Sequence, residues 1–132
     1  MDKRLMVYDE TFRRAEESLK NNDGVIIDAT FVTQELRRRA AGIAAGQGKT
    51  FIIQQTDCPQ EVSIRRILER TREDYQSNAL TEQAYLNNKA RFEKVDLDDL
   101  KSLYPDLPVI HLVVDTTQNQ PAEWYVTGVE KR

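Results

Sequence analysis

Two rhythms of apolar residues run along the chain. Between Leu5 and Asn21, Tyr8, Phe12, Ala15 and Leu19 recur at helical spacing, with Arg13, Arg14, Glu16, Glu17 and Lys20 on the other side. That pattern predicts an amphipathic helix. Asn21-Asn22-Asp23-Gly24 stops it with residues that tolerate a left-handed backbone. Val25-Ile26-Ile27 then runs unbroken into Asp28, which predicts a strand over 25–28 buried on both faces, as in a parallel sheet. Thr33 suits the N-cap of a second helix whose apolar stripe is Leu36, Ala40, Ile43 and Ala44, and Gly46-Gln47-Gly48 ends it. Thr50 to Gln55 is a second buried strand.

Cys58-Pro59 marks the start of a third helix, since proline fits the first helical turn. This helix is expected to reach about Tyr75 with Ile64, Ile67 and Leu68 inward. Ser77 to Leu80 breaks it. Thr81 caps a further helix carrying Tyr85, Lys89 and Phe92, and Leu97, Leu100 and Leu103 mark a short one. Pro108 to Asp115 is a third buried strand. Pro121 opens a last helix with Trp124 and Val129, weakened by Gly128. The alternation predicts an α/β fold, a three-layer parallel sheet with flanking helices. Residues 1–132 read as a single domain, with no internal repeat, low-complexity tract or linker. A chain of 132 residues is long enough for one core and too short for two.

Charge refines this picture. The formal net charge of -3 argues against wholesale attraction to nucleic acid. The distribution is uneven, however. Gln34 to Arg72 holds eight basic residues against four acidic ones, and Glu93 to Asp106 reverses the balance with five acidic residues and two lysines. A local basic surface of that kind suits a small anionic ligand. A single cysteine rules out an internal disulfide and fits a reducing compartment. No apolar run approaches the roughly 20 residues of a membrane span, and Met1 to Leu5 carries no signal-peptide core. A cytoplasmic protein is expected.

Several residues could carry chemistry. Asp28 ends its strand where a parallel sheet delivers side chains to the crevice at its carboxyl edge. A carboxylate there can hold a hydrated metal ion or accept a proton from a hydroxyl; it can equally cap the next turn, and both readings stay open. Gly46-Gln47-Gly48-Lys49-Thr50 imitates the end of a phosphate-binding loop, but the pattern needs glycine where Ile43 stands. Its context is also reversed, because here a helix leads into a strand. Cys58 reads as a small buried residue and His111 as a satisfied core histidine. Arg66 and Arg70 lie one helical turn apart on one face. Guanidinium groups bind phosphate bidentately, yet Glu69 and Glu73 could simply pair with them on a solvated face.

The order of these pieces resembles one family. Tyr8 through Leu19, then Gly24 to Phe31, then Arg37, resembles the later part of P-loop small-molecule and polynucleotide kinases, the gluconate-kinase-like group of AAA-type ATPases. Cys58 to Val62 followed by Arg66 and Arg70 is similar to their segment leading into an arginine-bearing lid. Ser77-Asn78-Ala79, Phe92-Glu93 and Val113 to Thr117 match later parts. The resemblance implies ATP and magnesium as cofactors. It implies that Asp28 acts through a magnesium-bound water or as base toward the acceptor hydroxyl. Thr30 would lie in the substrate loop and Arg37 would bind substrate or phosphate. Arg66 and Arg70 would be lid arginines at the transferring phosphoryl group.

One departure is large. Residues 1–132 contain no Gly-x-x-x-x-Gly-Lys-[Ser/Thr], so an incomplete P-loop fold is expected: a fragment, a shortened protein, or a chain completed by another. The enzymatic expectation is part of a kinase, inactive until a P-loop segment is supplied. The alternative is a degenerate, non-catalytic domain acting as a protein-interaction module. Expected partners are a second copy or a complementing P-loop segment, with no membrane and no nucleic acid except as a phosphoryl-accepting end. In that family the P-loop strand lies between the strand ending at Asp28 and the strand holding Phe51-Ile52-Ile53, so a gap is expected there.

Overall fold

The computed structural model describes residues 3–71 and 82–132. The expected end of the third helix near Tyr75, the break at Ser77 to Leu80 and the Thr81 cap lie outside these residues. Helix α1 spans Lys3–Asn21, α2 Gln34–Gly46, α3 Gln60–Thr71, α4 Glu82–Arg91 and α5 Leu97–Leu103. Strands β1 (Phe51–Asp57), β2 (Val109–Asp115) and β3 (Tyr125–Lys131) form one sheet in the order β1-β2-β3.

The helix caps act as expected, and on α3 Ile67 is buried, whereas Leu68, expected inward, is 51% exposed. The Thr33 side chain accepts from the Leu36 amide at the start of α2, and Asp96 accepts from the Asp99 amide at the start of α5. Each removes one of the unsatisfied amides of a first turn. At the other end of α2 the chain turns through Gly48 at φ +65, while the Lys49 amide returns to the Ala44 carbonyl at 2.9 Å. The glycine-rich stretch is therefore a helix exit into β1.

β1 and β2 pair in parallel, Phe51 with Val109 through Asp57 with Asp115. α2 and α5 pack on the face carrying Phe51, Ile53 and Val109. There Ala41, Ala44, Leu97, Leu100, Leu107 and Val109 form one core cluster. Gly42 lets Tyr104 approach α2, since a Cβ there would stand 2.7 Å from the tyrosine oxygen. A second cluster, Phe12, Leu36 and Ala40, joins α1 to α2 and receives both Ile27 and Phe51.

Two expectations are corrected. Val25–Asp28 is not a buried strand. It lies outside the sheet, Ile26 is 94% exposed, and among the described residues no backbone hydrogen bond ties it to β1. Ile27 and Phe51 rest on the same cluster, so the segment lies along the same layer as β1 without pairing to it. A strand needs a ladder as well as β-forming residues, and β1 pairs on its other side. Nor does Pro121 open a helix. It starts a single 3-10 turn, Pro121–Glu123, after which Tyr-Val-Thr-Gly-Val pairs antiparallel with β2. The sheet is thus mixed rather than wholly parallel. β-branched and aromatic residues at a free sheet edge outweigh the helix-start signal of one proline. No described helix is long and apolar enough to cross a membrane.

His111, on β2, sits with Nε2 2.9 Å from Gln55 Oε1. This bears out its reading as a satisfied interior histidine. Burial, with a smaller contribution from Arg37, holds its pKa below the ordinary 6.5. The folded chain therefore takes up a proton less readily than the unfolded one below that pH. Stability should be full above pH 6.5 and fall as the pH drops below it. The Asp99 and Asp115 carboxyls, held below their ordinary 3.8, add losses only in more acid solution. Because the chain has one histidine, His111→Gln should flatten the urea midpoint between pH 7.5 and 5. An unchanged slope in the variant would assign it elsewhere.

Candidate active site

The loop after Val25–Asp28 is clamped from two sides. Tyr8, on the inner face of α1, accepts the Phe31 amide at 3.0 Å and shares a 3.2 Å hydrogen bond with Thr30 Oγ1. Arg37, on the first turns of α2, donates from Nε to the Phe31 carbonyl at 3.0 Å and from Nη2 to the Val32 carbonyl at 3.5 Å. Its Nη1 donates to Gln34 Oε1 at 3.1 Å. Phe31, held at its amide and its carbonyl, has φ 43, a left-handed conformation that costs a bulky residue energy. Its ring meets Tyr8 edge-on at 5.5 Å and Phe12 at 6.0 Å.

Arg37 is only 2% exposed. Its guanidinium stands 4.9 Å above the Phe92 ring, and burial pulls its pKa down against the opposing effect of Glu93. Expected at the substrate, Arg37 instead faces the backbone of the loop. Glu93 holds the same loop from outside: its amide donates to the Val32 carbonyl at 2.7 Å and its carboxylate accepts from the Gln34 amide. The Asp28 carboxylate and Thr30 remain exposed. Beyond the loop, Arg38 binds Asp99 through two hydrogen bonds of 2.8 and 2.7 Å, fixing α2 against α5.

The second group lies where β1 and β2 end. Thr116 donates its amide to the Asp57 carbonyl at 2.8 Å. Asp115 accepts the Thr117 amide at 2.9 Å, and Thr117 holds the Asp115 carboxyl below its usual range. Arg66 reaches across from α3, and its Nη2 donates to the carbonyls of Thr116, Thr117 and Gln118 at 2.6, 3.0 and 3.2 Å. Cys58, 3.0 Å from Ser63 Oγ, lies 4.0 Å from Arg66 Nη1. Arg70, one turn further along α3, is exposed.

The five residues singled out in the sequence thus fall into two groups. Asp28, Thr30 and Arg37 share one clamped loop. Arg66 and Arg70 share α3, and among them only Arg70 has its side chain in solvent. Tyr8 escaped the sequence reading because it counted as one more apolar stripe residue. Its hydroxyl, which needs a partner when partly buried, was the available signal. A shallow hollow of about 410 Å³ between α1 and α2, lined by Asp9, Phe12, Arg13, Glu16, Arg39 and Ile43, contains none of the five.

The family model described as AAA domain matches residues 2–95, well over half the chain. The chain belongs to the AAA domain family. The matched stretch of this AAA domain takes in α1, the clamped loop, α2, β1, α3 and α4, and so all five candidate residues. The family is P-loop NTPase-like and of kinase type, which supports nucleotide binding. No curated protein and no solved structure matches the chain.

Proposed function

We propose that this AAA domain is the acceptor-and-lid portion of a P-loop kinase, transferring phosphoryl groups from ATP to a hydroxyl of a small molecule or a nucleic-acid end. The observation that carries the reading is the AAA-domain match, which spans every residue the resemblance singles out. In this reading the exposed Asp28 is the reacting carboxylate and Thr30 touches the acceptor. Arg70 meets the transferring phosphoryl group. Arg37 and Tyr8 position the loop that carries Asp28 and Thr30, and Arg66 anchors α3 to the loop after β2, which sets where Arg70 points.

The residues present fit magnesium better than they fit the nucleotide phosphates. Magnesium at phosphoryl-transfer sites keeps several waters and needs only one or two carboxylates besides the phosphates. An exposed Asp28 satisfies that donor set through water, and the ion when bound neutralises developing charge. A triphosphate needs a cradle of backbone amides and a lysine, which residues 1–132 do not contain, so the cradle comes from a further segment. The free edge of β1 is a place where such a segment can pair.

The test is phosphoryl transfer from MgATP to a panel of sugar, polyol and 5′-hydroxyl oligonucleotide acceptors, with a strand–Walker A–helix segment added. Acceptor-dependent transfer supports the kinase reading. MgATP binding without transfer to any acceptor would favour the non-catalytic alternative.

A further inference from the structure

Phe31, Tyr8 and Thr30 form a short chain of hydrogen bonds, and chemistry sets its direction. The Phe31 amide can only donate, so the Tyr8 hydroxyl oxygen accepts it at 3.0 Å. That oxygen still carries one proton of its own, and Thr30 Oγ1 stands 3.2 Å away. A phenol is a stronger acid than an aliphatic alcohol, hence the better donor, and the alcohol oxygen is the better acceptor. The amide bound to Tyr8 polarises its O–H further. Tyr8 therefore donates and Thr30 accepts. The tyrosine ring is held in place by Phe12 at 5.8 Å and Phe31 at 5.5 Å. Thr30 keeps its own proton, and among the described residues its hydroxyl has no other partner. Thr30 is exposed, so a polarised O–H is offered to solvent two positions after Asp28.

We infer that Tyr8 is a positioning residue for phosphoryl transfer: by donating to Thr30 it leaves the threonine proton for a second oxygen of the acceptor, and so favours acceptors whose reacting hydroxyl is flanked by another oxygen. The inference rests on the kinase reading, in which Asp28 meets the reacting hydroxyl. Two residues span at most about 7 Å, so both oxygens belong to one small stretch of the acceptor. Polyols, sugars and the ribose end of a nucleic acid carry such a second oxygen, and a simple alcohol does not. Arg37 holds the same loop at the Phe31 carbonyl, so the threonine stays in place while Tyr8 sets the direction of its hydroxyl.

The test is the complemented phosphoryl-transfer assay with glycerol, ribose, glucose and a 5′-hydroxyl oligonucleotide, and with 1-propanol as the acceptor that lacks a second oxygen. Transfer to one of the first four is expected at a kcat/KM at least about tenfold above that for 1-propanol, the usual effect of one hydrogen bond. Tyr8→Phe keeps the ring, and Thr30→Val keeps the shape of the side chain. Each should raise the acceptor KM about tenfold with kcat little changed, because the contact is made before and during reaction alike. The double variant should be no worse than Thr30→Val alone, since Tyr8 acts through Thr30. Thr30→Ser should restore the parent KM. A purely structural Tyr8 would lower the urea midpoint and leave KM alone. The inference is overturned if Tyr8→Phe leaves KM unchanged, if the two effects multiply in the double variant, or if 1-propanol serves as well as the other acceptors. Absence of transfer to any acceptor by the parent chain would overturn the kinase reading itself, and this inference with it.

Discussion

Replacing Arg37 with alanine should lower the unfolding free energy by about 3 kcal/mol, a large part of the roughly 5–15 kcal/mol that a domain of this size possesses. Two effects oppose each other. Burial disfavours the guanidinium charge, as its lowered pKa shows, so removing the charge relieves a desolvation cost. Against this, alanine leaves the Phe31 carbonyl without its donor and takes one of two donors from the Val32 carbonyl and from Gln34 Oε1, which keep the Glu93 and Asp96 amides, and a buried acceptor left unpaired costs about 1–3 kcal/mol. It also opens a large cavity beside Phe92. The losses win. Arg37→Met, which fills the space but cannot donate, should lie between parent and alanine. Urea unfolding measures the size. Amide exchange at Phe31 separates mechanism from bulk, because releasing the loop should speed exchange there more than at Leu100 in the core. Equal acceleration at both positions would mean that Arg37 supports the fold in general and not the loop.

The second large effect concerns Asp28. In the complemented phosphoryl-transfer assay, Asp28→Asn should reduce turnover by about 10²–10⁴-fold, the usual contribution of a positioned general base. It should leave the urea midpoint within experimental error, because the side chain is exposed and surface substitutions rarely move stability by more than about 0.5 kcal/mol. Asparagine keeps the shape of aspartate and removes its charge, so a loss of activity is not a packing effect. Full turnover in Asp28→Asn would remove Asp28 from the reaction, while a lowered midpoint would reassign it to the turn. The contrast with Arg37 is the useful one: loss of Arg37 should cost stability and activity together, loss of Asp28 activity alone.

The helices were legible in the sequence because their signals are local. The stripe Phe12, Ala15, Leu19 is buried as the spacing requires, and Thr33 caps α2. β1 and β2 were legible as strands because apolar runs of that length have few other uses, although β1, expected to be buried, leaves alternate residues such as Ile52 exposed. Val25–Asp28 carries the same composition and forms no ladder, since pairing depends on a neighbour that no local pattern reveals. β3 was read as a helix for the opposite reason: Pro121 gives a local start signal, but the open edge of β2 decides. The arginines misled differently. Charge suggests surface, and nothing in the spacing of Arg37 announces that the Phe31 and Val32 carbonyls and the Phe92 ring will enclose it. Arg66 likewise spends its donors on three carbonyls some fifty positions away. Of the candidate site, then, the loop and its carboxylate were readable, and the tertiary contacts that hold them were not.

The central claim is that this AAA domain belongs to a kinase whose phosphate cradle is not among residues 1–132. The most direct measurement is a calorimetric titration of the chain with MgATP at physiological salt, alone and with the strand–Walker A–helix segment present. The account predicts a dissociation constant weaker than about 1 mM for the chain alone, little more than loose attraction of an anion to exposed arginines, and micromolar binding once the segment is added. One-to-one binding in the low micromolar range by the chain alone would contradict it.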